Sequence, residues 1–354
     1  MSGKYKHPFA AQVHRFLEKH GHTLVDRLNP PSHVEVSIRG SAAIAIMNFA
    51  GTKAVVVIKP TWPHMETTHP EEICHLQKTV RNINERLASS LPPLQVTGPQ
   101  RQWIFMNFIQ GRTLEDVLAH NNSRVSNSRG SQTTGVLEML GEIVASIHQI
   151  EGARIGFGVE SRANETYFPH LEKYWNTSIF PRLLPARFRQ PEALRQFLPA
   201  GFGARRPACL SYTDLQPKNI IIDADGELHL IDPGYELGNP AMAIGFFLNS
   251  LNQLSLSHRN WLNPVTIQKY QREFLSTYLS RVGPNVSQDL IFFYPWTLIE
   301  TARMHNQRRP NLWLGLRTVY SLYMRQYLKN LELASAKTLN QPHAELFTGV
   351  IAVR

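Results

Sequence analysis

The sequence predicts an α+β protein in which a small antiparallel sheet with helices comes first and a larger, mostly helical region follows. Three apolar runs between residues 34 and 59 are separated only by short Gly-containing turns, the pattern of a strand meander. From residue 240 onward the apolar positions instead recur at mostly helical spacing, and the chain shows no internal repeat. With 354 residues, 42% of them hydrophobic, it can bury one large core or two medium ones.

Phe9, Val13, Phe16 and Leu17 recur at helical spacing and predict an amphipathic helix over 8–20 ended by Gly21. Val34–Arg39 alternates as a strand, Gly40-Ser-Ala-Ala is a small-residue turn, and Ile44–Phe49 resumes as a second strand. A turn at Gly51-Thr-Lys leads into the third, Ala54–Lys59. Lys59 ends the most apolar strand of the chain, where an ammonium is costly unless it reaches an anion or open water. A phosphate-holding lysine and a snorkelling one both meet that condition. Residues 71–87 read as a helix with Ile73, Leu76, Val80, Ile83 and Leu87 on one side. Glu72, in its first turn, complements the helix dipole and is also in the right place to orient Lys59.

Trp103–Ile109 forms another apolar strand, which Gln110-Gly111 breaks before a helix capped by Thr113. Asn121–Gly135, dominated by Asn, Ser, Thr and Gly, reads as a mobile loop. Val136, Leu140, Ile143, Ile147 and Ile150 then mark a long buried helix. The span 160–207, with repeated Pro, Arg and aromatic residues, is a candidate substrate-facing insertion.

The densest chemistry lies in Ser211-Tyr-Thr-Asp-Leu-Gln-Pro-Lys-Asn219 and the run from Ile220 to Asp232 that follows it. Asp214 and Asn219 are separated by a segment in which Pro217 disfavours regular helix, so both side chains can point inward from one short loop. Ile220–Ile222 reads as a strand, Asp223-Ala-Asp-Gly226 as a turn, and Leu228–Ile231 as a second strand ending at Asp232. Such a hairpin returns Asp232 beside Asn219. Phosphoryl transfer needs a carboxylate to receive a hydroxyl proton and oxygen ligands to hold Mg²⁺ against phosphates. Asp214, Asn219 and Asp232 are residues of those types. Strand-end aspartates and Asp-Gly turns are individually common, so the signal is the set at this spacing.

Lys plus Arg total 37 against 27 Asp plus Glu, giving a net charge of +10 and a pI near 9.7. Such a field attracts anions and repels polycations. The excess is steepest after residue 240, where 12 basic residues face 5 acidic ones. An anionic substrate, a membrane face or a plain solvated surface all fit this excess. Nucleic acid is not expected, because Arg205-Arg206 and Arg308-Arg309 are too short for a binding stripe and no recognised motif accompanies them. Cys74 and Cys209 lack metal-ligand spacing, which argues against a zinc site or a disulfide framework and for a reducing compartment. The first residues lead into an amphipathic rather than an apolar stretch, and no run approaches membrane-spanning length. A soluble, cytoplasmic protein without a transmembrane segment is the expectation; oligomeric state has no signature.

In order, these pieces resemble the aminoglycoside phosphotransferase and choline kinase family, a branch of the protein-kinase-like fold, over most of the chain. The strongest match is Tyr212-Thr-Asp-Leu-Gln-Pro-Lys-Asn219 followed by Ile231-Asp-Pro-Gly, where the family usually has His-Gly-Asp-Leu-His-Pro-Gly-Asn and then Ile-Asp-Trp or a similar string. Phe105-Met-Asn-Phe-Ile-Gln-Gly-Arg-Thr-Leu is similar to its hinge, and Leu140-Gly-Glu-Ile-Val-Ala-Ser-Ile-His-Gln to its long helix ending in Leu-His. The resemblance implies a two-lobed architecture with a nucleotide-binding lobe over 1–106, a hinge at 107–111 and a catalytic and substrate lobe over 112–354.

It also implies ATP as phosphoryl donor, with GTP left open, Mg²⁺ as the metal, and a small-molecule hydroxyl as acceptor. By matching position, Asp214 would orient or deprotonate that hydroxyl, Asn219 and Asp232 would bind Mg²⁺, Lys59 would contact the α- and β-phosphates, and Glu72 would hold Lys59. The Gly40 turn would lie over the nucleotide. Backbone groups among Met106, Asn107, Phe108 and Ile109 would meet adenine, with Ile38, Val57 and Ile231 as apolar walls. Lys218 would neutralise the transferring group, or be a solvated loop lysine. The basic excess favours a neutral or anionic acceptor over an aminoglycoside or choline. Two departures stand out. Tyr212-Thr213 replaces His-Gly, and Gly238-Asn239-Pro240 through Ala243 lacks the two acids the family commonly carries there, so the brace of the catalytic loop is altered or supplied elsewhere. The competing reading is a nucleotide-binding pseudokinase or scaffold; a protein kinase is disfavoured by the lack of a His-Arg-Asp loop and an Ala-Pro-Glu segment.

Overall fold

A computed structural model describes residues 7–39, 42–60, 70–121, 130–151, 209–212, 214–232, 234–254, 264–282, 284–308 and 322–329. The chain divides into two units, Met1–Gly111 and Arg112–Arg354.

In the first unit, α1 (Pro8–Leu24) starts where the His7 imidazole accepts the Phe9 N–H at 3.3 Å and Pro8 sits at a position that needs no donor. Gly21 does not end this helix as expected. It is buried inside it, and a Cβ there would lie 2.5 Å from Met47 Sδ, so the glycine permits close approach to the sheet. That sheet contains β1 (His33–Arg39), β2 (Ala42–Phe49), β3 (Thr52–Pro60), β4 (Gln95–Thr97) and β5 (Trp103–Asn107), in the order β1-β2-β3-β5-β4 with every neighbour antiparallel. The helix expected over 71–87 is two: α2 (Pro70–Ile83) and α3 (Glu85–Ser90). Asn84 breaks it by taking an extended backbone and accepting the Arg86 N–H at 2.8 Å, so it caps the start of a second helix.

Register decides which side chains share a face, because opposed residues in an antiparallel pair point the same way. Ile38 opposes Ala43, Ala43 opposes Ile58, and Ile58 opposes Phe105. These lie with Val13 and Leu17 of α1, Val34, Val36, Ala45, Met47, Val56 and Trp103 in one apolar cluster. The opposite face carries Ser37, Ile44, Val57 and Met106, joined by the pairs Ser37–Ile44, Ile44–Val57 and Val57–Met106.

The second unit opens with β6 (Arg112–Thr113) and α4 (Leu114–Asn121), whose start is capped as expected: Thr113 Oγ1 accepts the Asp116 N–H at 3.1 Å. Next comes α5 (Gly130–His148), so the last residues of the expected loop at 121–135 are helical, while 122–129 lie outside the described residues. The span 160–207 and the Gly40 turn lie outside them too. The remaining elements are β7 (Cys209–Tyr212), β8 (Ile220–Ile222), β9 (Leu228–Leu230), β10 (Tyr235–Gly238), α6 (Pro240–Leu254), α7 (Pro264–Arg281) and α8 (Pro284–Arg308). β6, β8 and β9 form one small sheet, and β7 pairs with β10. α5 packs on α7 and α6 on α8, burying Leu140, Val144, Phe247, Phe274, Tyr278 and Phe293. Buried amides stitch the last three helices. Gln271 Nε2 donates to the Leu248 carbonyl (2.9 Å) and Asn252 Oδ1 (2.8 Å), and Asn249 Nδ2 to Thr297 Oγ1 (2.8 Å). Among the described residues no helix is long and apolar enough to cross a membrane.

Candidate active site

β7 delivers Tyr212 and, two residues later, Asp214. A 3₁₀ turn at Pro217–Asn219 follows, closed by the Asn219 N–H donating to the Gln216 carbonyl at 2.8 Å. Because the turn folds back, the Asn219 carboxamide donates to the Asp214 carbonyl at 3.0 Å and to its Oδ2 at 2.9 Å. Gln216 Nε2 donates to the other oxygen, Oδ1, at 2.5 Å. Both carboxylate oxygens are thus oriented by N–H donors, and the group is half-buried. Gln216 carried no signal in the sequence; its role depends on the turn geometry alone.

The β8–β9 hairpin forms over the expected turn. Asp223 Oδ1 accepts the N–H groups of Asp225 (3.0 Å) and Glu227 (2.9 Å), and Gly226 takes φ 84°, a backbone setting that disfavours any Cβ. The His229 Nε2 on Asp223 Oδ2 at 2.8 Å, helped by those amides, holds the Asp223 carboxyl below the usual range. The hairpin returns the chain so that the Ile231 N–H donates to the Asn219 carbonyl at 2.9 Å. The residue preceding Asp232 is therefore fastened to Asn219, and Asp232 itself takes φ 66°.

Behind this loop, α5 ends at His148, which is 2% exposed. Its Nε2 accepts the Tyr212 N–H at 3.4 Å, so Nδ1 carries the proton and donates to the Tyr278 hydroxyl at 2.9 Å. Burial pushes the imidazole down from 6.5 to about 3, which keeps it neutral and preserves this tautomer. The Tyr212 hydroxyl donates to the Ile231 carbonyl at 2.9 Å, and its ring meets Tyr235, opposite it on β10, edge-on at 5.5 Å.

Lys218 is exposed, and the field of its ammonium reaches Glu115 on α4, whose carboxyl is raised first by burial, then by Asp116, and lowered by Lys218. At the corner lacking the family's acids, Asn239 Oδ1 accepts the Ala241 N–H (3.0 Å) to cap α6, while its Nδ2 donates to Asp289 Oδ2 at 2.6 Å. Asp289 is 1% exposed and comes from α8. An acid thus reaches this corner from a distant element, and no local motif announces it.

In the first unit, Lys59 on β3 opposes Ile104 on β5, which puts it on the face of Val57 and Met106. Ile38 falls on the other face, against the cluster beneath α1. As a wall beside Val57 and Lys59 it is a miscast residue; strict alternation puts Ser37 and Ile44 on that face instead. Glu72 is half-buried in the first turn of α2, while its neighbour Glu71 pairs with the Arg101 guanidinium at 2.8 Å. At the end of β5 the Phe108 N–H donates to the Val55 carbonyl at 2.9 Å, so that amide is already committed to the sheet; the residue is 42% exposed. Asn107 is exposed, Met106 and Ile109 are half-buried, and Ile231 of the second unit is half-buried.

No curated protein matches the chain in sequence. Among solved structures, one from Ralstonia eutropha assigned to the aminoglycoside phosphotransferases is similar with a TM-score of 0.51 at 11% identity, over 88% of this chain and 95% of that one. An ethanolamine kinase from Plasmodium vivax gives 0.48 at 11% identity over 86% and 83% of the two chains. A choline kinase from Cryptosporidium parvum gives 0.47 at 11% identity over 89% and 93%. The sequence model described as the phosphotransferase enzyme family matches residues 13–251. That span covers more than half of the chain and contains the Asp214 loop, the hairpin and Asp232, and so the protein belongs to the phosphotransferase enzyme family.

Proposed function

We propose that this enzyme transfers a phosphoryl group from Mg²⁺-bound ATP to the hydroxyl of a small molecule. The observation that carries the reading is the fastening of three residues. Asn219 orients Asp214 through its side chain and, through its carbonyl, holds Ile231 next to Asp232. Asp214, held on both oxygens, is suited to accept a proton from one defined direction. With its Nδ2 turned to Asp214, the Asn219 carboxamide has Oδ1 as its ligating atom. Together with the Asp232 carboxylate this is a set of hard oxygen donors, the chemistry Mg²⁺ prefers.

Among the described residues no group of three or more His, Cys, Asp or Glu gathers as a metal site. Asn219 and Asp232 would therefore hold the ion together with phosphate oxygens, as is usual for Mg²⁺ in phosphoryl-transfer sites. The bound ion would neutralise charge on the phosphates. Lys59 is assigned to the α- and β-phosphates, Glu72 to orienting Lys59, and the backbone around Met106, Asn107 and Ile109 to adenine. The basic excess after residue 240 supports a neutral or anionic acceptor, such as a sugar or nucleoside.

Thermal shift with Mg-ATP and Mg-GTP, followed by phosphate-transfer assays on a panel of hydroxyl compounds, tests the reading. The melting temperature should rise with nucleotide, Asp214→Ala should keep that rise but lose transfer, and Asp232→Ala should lose the Mg²⁺-dependent part of it. Absence of any rise with either nucleotide would overturn the proposal.

A further inference from the structure

The hydrogen bonds of the second unit close into a circuit. From Asp214 the path runs through the Asn219 carboxamide to the Asn219 carbonyl, which accepts the Ile231 N–H at 2.9 Å. The Ile231 carbonyl in turn accepts the Tyr212 hydroxyl at 2.9 Å, and Tyr212 lies two residues before Asp214, where the circuit began. Both backbone groups of Ile231 are therefore held, one by each arm of the loop. The next residue, Asp232, has φ 66°, the left-handed region that Asp reaches more readily than most residues with a Cβ but still at a cost in strain, so its surroundings help to hold it there. Tyr212 has the means to do so. Its ring is fully buried and fixed edge-on against Tyr235, its N–H is anchored on His148, and burial holds its phenol well above the usual range, so the hydroxyl stays a donor.

We propose that Tyr212 is a positioning residue for the metal site: its hydroxyl, acting through the Ile231 carbonyl, holds the peptide before Asp232 so that the Asp232 carboxylate is presented to a divalent cation. This rests on the reading of Asp232 as a metal ligand and adds a residue that touches neither metal nor substrate. Loss of the hydroxyl leaves the Ile231 carbonyl without its donor and frees the strained backbone to relax, so metal affinity falls while the apolar packing of the ring is retained.

The test is Mn²⁺ titration in the presence of ATP, read by electron paramagnetic resonance on the full chain, for wild type, Tyr212→Phe, Asp232→Ala and Tyr327→Phe. Tyr327 is the control because its buried hydroxyl also donates to a backbone carbonyl, that of Ile291, elsewhere in the unit. Tyr212→Phe should weaken Mn²⁺ binding roughly tenfold, the worth of one such hydrogen bond, with saturating metal restoring nucleotide binding. Tyr327→Phe should lower the melting temperature without moving the metal titration. Tyr212→Met, which fills much of the same space without a hydroxyl, should behave as Tyr212→Phe and serves if that variant does not fold. Unchanged Mn²⁺ affinity in the Tyr212 variant, with binding abolished in Asp232→Ala, would overturn the positioning role and leave the metal site standing. Unchanged affinity in Asp232→Ala would overturn both.

Discussion

The two units hold their candidate site residues by different physics. In Met1–Gly111 the side chains of Val57, Lys59 and Met106 share a face because β3 and β5 are in register, and the register is secured on the opposite face by apolar burial beneath α1. In Arg112–Arg354 the residues Asp214, Asn219 and Asp232 lie at the ends of short strands and turns, and N–H and O–H donors secure them, some from residues far away in sequence. Burial of apolar surface is non-directional and shared among many atoms, so a sheet face tolerates loss of any one polar group. A hydrogen-bonded loop concentrates its geometry in a few directional contacts, and each is worth more to position than to stability. Substitutions in the apolar cluster beneath the first sheet should show mainly as stability; those in the hydrogen-bonded Asp214 loop, mainly as activity and metal response.

The largest effect that would sharpen the contrast is Asp214→Ala. The rate of phosphate transfer should fall by about 10²–10⁴-fold, the usual worth of a positioned acid–base group, with the thermal midpoint nearly unchanged. A comparable loss of stability would break the contrast. Next comes Leu17→Ala beneath the sheet, where the side chain is fully buried. Chemical denaturation should show a loss of about 2–5 kcal/mol, with the nucleotide-induced rise in melting temperature retained.

His148 gives a third, pH-resolved probe of the polar unit. Its folded-state pKa lies near 3 instead of 6.5 because of burial, so below about 6.5 the unfolded chain takes up a proton that the folded one refuses. The sign follows: this contribution to stability is complete above pH 6.5 and is lost as pH falls from there toward 3, at up to about 1.4 kcal/mol per pH unit. Urea midpoints measured across that range for wild type and His148→Asn check it; the variant should show the shallower dependence. The smallest expected effect is Thr113→Ala, which removes the cap of α4. It should cost about 1 kcal/mol by denaturation, and a larger change in metal response than in stability would mean that α4 belongs to the site.

Much of this was legible from residue order because the relevant rules are local. Alternation over Val34–Arg39 and the apolar runs at 44–49, 54–59 and 103–109 marked four strands of the first sheet, though not β4, and Asp223-Ala-Asp-Gly226 marked a turn whose geometry is set by the Asp223 side chain and Gly226. Where reading failed, a tertiary contact had overruled a local habit. Gly21 looked like a helix stop and is a point of contact with Met47. Ile38 looked like a site wall, but its parity with Val34 and Val36 turns it under α1. Gln216, His148 and Asp289 gave no sign of what they hold.

From the order of residues alone came the α+β class, the positions of the main strands and helices, the family resemblance, and the spacing that makes Asp214, Asn219 and Asp232 a set. These depend on steric and hydrogen-bonding preferences among residues a few positions apart. Tertiary structure alone decided which sheet face carries Lys59, that Tyr212 reaches back to Ile231, and that an acid arrives at Asn239 from α8. Such pairings join residues up to tens of positions apart, and they form only when burial of the surrounding apolar surface has brought those residues together.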